Sequence, residues 1–113
     1  YLPDLEVLGD VEASTLVVGW GGTFGHIMSA VENINKVGKS VAFTHFNYIQ
    51  PLPKNTGDVF SKFKKIIVCE LNNGQFAGYL RSKISANYIQ FNKIEGQPFT
   101  VSELELFILG ELV

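Results

Sequence analysis

The chain has 113 residues, 46% of them hydrophobic, a single cysteine and a formal net charge of −2. That length suits one compact domain with a real core, and the weak negative charge gives no basic footprint for nucleic acid. No apolar run approaches a membrane span, and the lone Cys69 excludes an internal disulfide and any CxxC metal or cluster site.

Residues 1–4 read as a lead-in, and residues 6–8 as a short edge strand turned by Gly9 and Asp10. The first buried strand is 15–19, nearly continuous in apolar character, as a strand covered on both faces should be. Glycines follow at 19, 21, 22 and 25, and then an amphipathic helix over 23–37. Its apolar residues, Phe24, Ile27, Met28, Val31 and Ile34, keep the spacing of a helix lying on a sheet. Gly38 supplies the left-handed residue after the last turn. Strand, glycine turn and helix make the first half of a βαβ unit. In such a turn Gly21 and Gly22 would let the backbone approach an anion held by the helix N-terminus, or would merely allow a tight turn. The dinucleotide fingerprint fails, because its third glycine would fall at Phe24 and no acidic residue ends the next strand.

That next strand is 40–46. Pro51 and Pro53 then enforce a stiff extended segment. It leads to a short helix capped by Asn55 or Thr56, with Asp58 in its first turn and Val59, Phe60 and Phe63 on its apolar stripe. Lys64 and Lys65 read as a solvated helix end before a third buried strand at 66–71. The run Asn72-Asn73-Gly74-Gln75 is turn chemistry. It opens a helix over 75–84 built on Phe76, Ala77, Leu80 and Ile84. Residues 88–94 alternate, with Ile89 and Phe91 on one face, as an outer strand would. The last helix begins with a capping box, Thr100 at N-cap and Glu103 at N3, with Phe99 and Leu104 spaced as a hydrophobic staple. Leu104, Phe107, Ile108 and Leu112 face the core. Leu106 and Leu109 point elsewhere, toward something that covers them. The alternation predicts an α/β fold with a mostly parallel sheet and helices on both faces.

In such a sheet ligands and partners meet the carboxyl ends of the strands. The polar residues expected there are Trp20, Gly21, Gly22, Thr23 and His26 after the first buried strand, His45 and Asn47 on the second, and Glu70, Asn72 and Gln75 after the third. Two histidines and a carboxylate could form a metal site or an acid–base pair, but no spacing matches a zinc signature. They are read as polar contacts to a neighbouring loop, domain or subunit. His26, near a helix N-terminus, is expected neutral and hydrogen-bonded. Cys69 lacks a basic neighbour and reads as an inert core thiol. Trp20 could stack on a ligand or cover the sheet edge. Neither a G-x-S-x-G elbow nor a P-loop lysine occurs, so an autonomous catalyst is not expected.

At Gly19-Trp20-Gly21-Gly22-Thr23-Phe24-Gly25 the chain resembles the C-terminal domain of the alpha subunit of 2-oxoacid:ferredoxin oxidoreductases, most closely the 2-oxoglutarate type. The runs His45-Phe46-Asn47-Tyr48-Ile49-Gln50-Pro51-Leu52-Pro53, Glu70-Leu71-Asn72-Asn73-Gly74-Gln75 and Asn92-Lys93-Ile94-Glu95-Gly96-Gln97-Pro98-Phe99 match in family order. The family usually has serine at the place of Gly22 and often tyrosine at Phe24, so a hydroxyl is missing at both.

The resemblance implies a transketolase C-terminal-like fold, a three-layer α/β/α sandwich on a five-stranded, mostly parallel sheet with an antiparallel edge strand. It implies a single domain over residues 1–113, excised from a longer alpha subunit, and the lone cysteine suits a cytoplasmic protein. The intact enzyme would decarboxylate a 2-oxoacid such as 2-oxoglutarate oxidatively, form an acyl-CoA and reduce ferredoxin, using thiamine diphosphate, Mg²⁺, a [4Fe-4S] cluster and coenzyme A. This domain would bind none of these cofactors alone. It would hold no catalytic or metal-ligating residue, and its ten rim residues would serve as an interface or an anion- or CoA-binding edge. Its partners would be the rest of the alpha subunit, a beta subunit and ferredoxin in a hetero-oligomer, with no nucleic acid or membrane. Two other readings are a free-standing flavodoxin-like or nucleotide-binding module and the C-terminal domain of another thiamine enzyme.

Overall fold

A computed structural model of the chain describes residues 3–71, 73–93 and 97–112. The strands are β1 (Val7–Gly9), β2 (Thr15–Trp20), β3 (Ala42–Phe46), β4 (Lys65–Glu70) and β5 (Tyr88–Asn92). A 3-10 turn, Gly21–Thr23, precedes helix α1 (Phe24–Lys36), and the other helices are α2 (Thr56–Ser61), α3 (Gln75–Lys83) and α4 (Val101–Glu111). The sheet order is β1-β3-β2-β4-β5. The β2–β3, β2–β4 and β4–β5 pairs are parallel, and β1 runs antiparallel on β3 at one edge. The expected architecture is therefore present, with each element within a few residues of its predicted bounds.

Alternation in the central strands sends side chains to two cores. On one face Leu16, Val18, Phe46, Ile66 and Val68 pack under Val59, Phe60 and Phe63 around α2 and under Phe76, Ala77 and Leu80 of α3. On the other, Val17, Phe43, Ile67 and Cys69 pack under Ile27, Ala30, Val31 and Ile34 of α1 and Leu104 and Ile108 of α4. Both faces are covered, so the central strands are mostly apolar. Gly19 makes the close approach of α1 feasible: a Cβ there would lie 2.5 Å from the Ile27 δ-methyl and 2.8 Å from the Thr23 hydroxyl. Gly38 follows α1 at φ +89, the left-handed position expected of it.

Two asparagines act as detached rungs of the sheet. Asn35, near the end of α1, donates from Nδ2 to the Val41 carbonyl at 3.0 Å and accepts the Val41 N–H on Oδ1 at 2.9 Å. Asn55, at the α2 N-terminus, accepts the Leu5 N–H at 2.8 Å and donates to the Leu5 carbonyl at 3.1 Å. The helix cap expected of Asn55 is therefore not made; its amide is spent on the lead-in to β1.

The capping box of α4 is complete: the Thr100 hydroxyl accepts from the Glu103 amide at 3.1 Å, and the Glu103 carboxylate accepts from the Thr100 amide at 2.7 Å. Phe99 and Leu104 are both buried, as a staple requires. Leu109 departs from expectation. It packs half-buried against the α1/α4 core, while Leu106 stands 75% exposed. Lys65 is no solvated helix end. It opens β4, and its ammonium donates to the Glu111 carbonyl at the end of α4.

Candidate functional site

The carboxyl edge of the sheet, where β2, β3 and β4 end, holds the sequence-predicted residues but divides them. Trp20 is half-buried on the α2/α3 face, its ring 5.8 Å from Phe76, where it closes the core. Thr23 is buried and donates its hydroxyl to the Trp20 carbonyl at 3.2 Å, fixing the 3-10 turn. Gly21 and Gly22 are exposed on that turn, Gly21 at φ +72, and a Cβ at 21, 22 or 25 would touch nothing within 4 Å. The tight turn thus accounts for Gly21, whereas neither backbone conformation nor internal packing accounts for Gly22 or Gly25. His26 is exposed and makes no hydrogen bond among the described residues, contrary to the hydrogen-bonded ring expected. Gln75 is exposed at the start of α3. Asn72 lies outside the described residues.

Glu70 is corrected most. It is 1% exposed, and its two carboxylate oxygens accept the Phe76 and Ala77 amides at 3.0 and 2.9 Å. Those amides are orphan donors of the α3 N-terminus, where the helix dipole favours an anion. Glu70 therefore fills that anion position itself, and a ligand has no access to it. Sequence reasoning placed it on the rim because it ends a strand. The return of the chain six residues later, which brings amides to its carboxylate, leaves no mark in spacing.

His45, Asn47 and Gly21 do come together. With Pro3, Asp4, Glu6, Leu8 and Phe24 they line a cleft of about 560 Å³ between β1, β3 and the 3-10 turn. The imidazole meets Phe24 edge-on, ring centres 5.3 Å apart, with Phe43 at 6.3 Å. His45 Nδ1 is buried without a hydrogen-bond partner among the described residues. Burial is the larger influence on His45 and lowers its pKa below the usual 6.5, while the Gly21 backbone works the opposite way. The ring is neutral at pH 7, so the charges of the cleft are the carboxylates of Asp4 and Glu6. The sequence reading missed these two and Phe24, because the first two precede an edge strand whose pairing fixes where they lie. The antiparallel register, Val7 opposite Thr44, carries Glu6 to the level of His45.

The rim also exposes large apolar side chains: Phe24 at 43%, Tyr48 at 51% and Leu71 at 40%, on the segments that leave β2, β3 and β4. Cys69, by contrast, is buried in β4, with its thiol pushed up to about 12 by desolvation. A thiol so far from ionising does not fit cluster ligation, which requires a thiolate. Among the described residues no group of three His, Cys, Asp or Glu is placed to hold a metal ion. No helix among them is long and apolar enough to cross a membrane.

No family model matches the chain. The 2-oxoglutarate oxidoreductase subunit KorA of Mycobacterium tuberculosis is 36% identical to it over 115 residues, which cover 99% of this chain and 17% of that protein. The 2-oxoacid:ferredoxin oxidoreductase 1 alpha subunit of Aeropyrum pernix is 34% identical over 67 residues, 57% of this chain and 10% of that protein. Among solved structures, 2-oxoglutarate:ferredoxin oxidoreductase from Magnetococcus marinus, with 2-oxoglutarate, coenzyme A and succinyl-CoA bound, superposes with a TM-score of 0.92 at 26% identity, over the whole of this chain and 20% of that one. The chain thus spans about a fifth or less of the proteins it matches. Along its length, in sequence and in fold, it corresponds to a segment of the 2-oxoacid:ferredoxin oxidoreductases, and in sequence to their alpha subunits.

Proposed function

We propose that this chain is a non-catalytic C-terminal interface domain of a thiamine-dependent 2-oxoacid:ferredoxin oxidoreductase alpha subunit, and that the carboxyl edge of its sheet packs against the rest of that enzyme. The observation that carries this reading is that Phe24, Tyr48 and Leu71 are each exposed just beyond the carboxyl ends of β2, β3 and β4. Large apolar side chains left exposed on one edge suit a surface that a neighbour covers. Gly22 and Gly25, with open space where a Cβ would be, allow a neighbouring backbone to come close.

The residues present do not fit a resident cofactor. The one thiol resists ionisation, Glu70 already occupies the α3 N-terminus, and the His45 cleft carries two carboxylates that repel phosphate. Thiamine diphosphate, Mg²⁺, the [4Fe-4S] cluster and coenzyme A are therefore assigned to neighbouring parts of the intact enzyme, while the beta subunit and ferredoxin remain partners of the assembly that this domain joins.

The test is to purify the longer alpha subunit with its beta partner and assay 2-oxoacid- and CoA-dependent ferredoxin reduction. Replacing Phe24 and Tyr48 with serine should weaken assembly while leaving the fold of this segment intact by circular dichroism. Saturable micromolar binding of FMN, a nucleotide or CoA by the 113-residue chain alone would overturn the reading in favour of an autonomous binding module.

A further inference from the structure

The cleft beside His45 has a chemistry of its own. Asp4 and Glu6 supply two negative charges, and among the described residues neither carboxylate is in an ion pair. Among the described residues no lysine or arginine lines the cleft. Leu8 and the exposed ring of Phe24 add apolar and aromatic surface. Asn47 adds an amide, and the buried Nδ1 of His45 has no hydrogen-bond partner among the described residues.

We infer that this cleft receives an arginine side chain presented by the protein surface that packs on the carboxyl edge. The inference rests on the reading of that edge as an interface and names the chemistry of its partner. Charge complementarity selects a cation over the phosphate groups of a coenzyme. The mixed lining selects arginine among cations: a guanidinium is planar, can be shared between two carboxylates, and stacks on an aromatic face, while its methylene stem lies on apolar surface. A cleft of about 560 Å³ has room for such a side chain and part of the backbone that carries it.

The experiment uses the longer alpha subunit assembled with its beta partner. The double variant Asp4→Asn, Glu6→Gln keeps the shape of the cleft and removes its charge. It should weaken assembly on the order of tenfold, with a smaller salt dependence than the wild type. In parallel, the 113-residue chain, labelled with ¹⁵N, is titrated with Nα-acetyl-arginine amide, the corresponding lysine amide and the norleucine amide. The arginine probe should shift the signals of Glu6, Phe24, His45 and Asn47 more than the lysine probe, and the norleucine probe should leave them in place. Equal shifts with lysine, or none beyond norleucine, overturn the assignment. So does a neutralised double variant that assembles as the wild type does. If that variant assembles normally while Phe24→Ser, Tyr48→Ser does not, the cleft assignment fails and the interface stands. If neither pair affects assembly, both fail.

Discussion

Glu70 shows how one side chain can replace a cap. Helix α3 begins at Gln75 after Gly74, which has no side chain to offer its amides, and the two donors of Phe76 and Ala77 end on a carboxylate from the preceding strand. Removing the carboxylate leaves both buried and unmet, so Glu70→Ala should cost about 2–4 kcal/mol. Glu70→Gln, whose amide keeps one accepting oxygen, should cost less, and denaturant titration of the two variants checks the order. His45 gives a pH signature. Burial depresses its pKa in the folded chain, so the unfolded chain binds the proton more readily. The stability associated with a neutral ring is therefore complete above the unfolded value of about 6.5 and declines as pH falls below it. Urea titrations at pH 7.5 and pH 5.5 should show a smaller loss for His45→Gln than for the wild type. The inertness of Cys69 could be anticipated, since it follows from burial in a strand. Glu70 as a cap and Asn55 as a clamp could not, because each reaches a backbone group whose position depends on how a loop returns.

The elements follow their apolar periods closely. The capping box and staple of α4 are local and were readable residue by residue. Thr100→Ala should lower stability by about 1 kcal/mol, measured by thermal or chemical denaturation. Phe91 and Phe107 stack with ring centres 4.2 Å apart and planes 3° from parallel, and Phe99 lies 5.1 Å from Phe91. Strand β5 is thereby attached to the start and the middle of α4. With α4 in that orientation Leu109 lies against the core and Leu106 points out. Periodicity gives the apolar stripe and leaves the rotation of the helix to its neighbours. Gly19 is the matching constraint on the other helix of this face. Gly19→Ala should cost about 1–3 kcal/mol by pushing Ile27 and Thr23 outward, and a crystal structure or methyl shifts of Ile27 would register the displacement.

At the scale of the molecule, one sheet separates two cores, and the edge where β2, β3 and β4 end carries the exposed aromatic and polar groups. The sequence reading found this edge because parallel strands place all their carboxyl ends on one side. The split of its residues between the two faces follows from the register of each strand, and the acidic wall from an antiparallel partner only three residues long. The Asn55 clamp ties these parts together. Asn55 opens a helix that packs on one face, while the segment it grips continues from Asp4, which lines the cleft on the other. Asn55→Ala should cost about 1–3 kcal/mol and speed exchange of the Leu5 amide more than that of amides in β2. A single carboxamide thus works as a bolt through the edge of the sheet, fastening the start of α2 to the strand lead-in that forms one side of the acidic mouth.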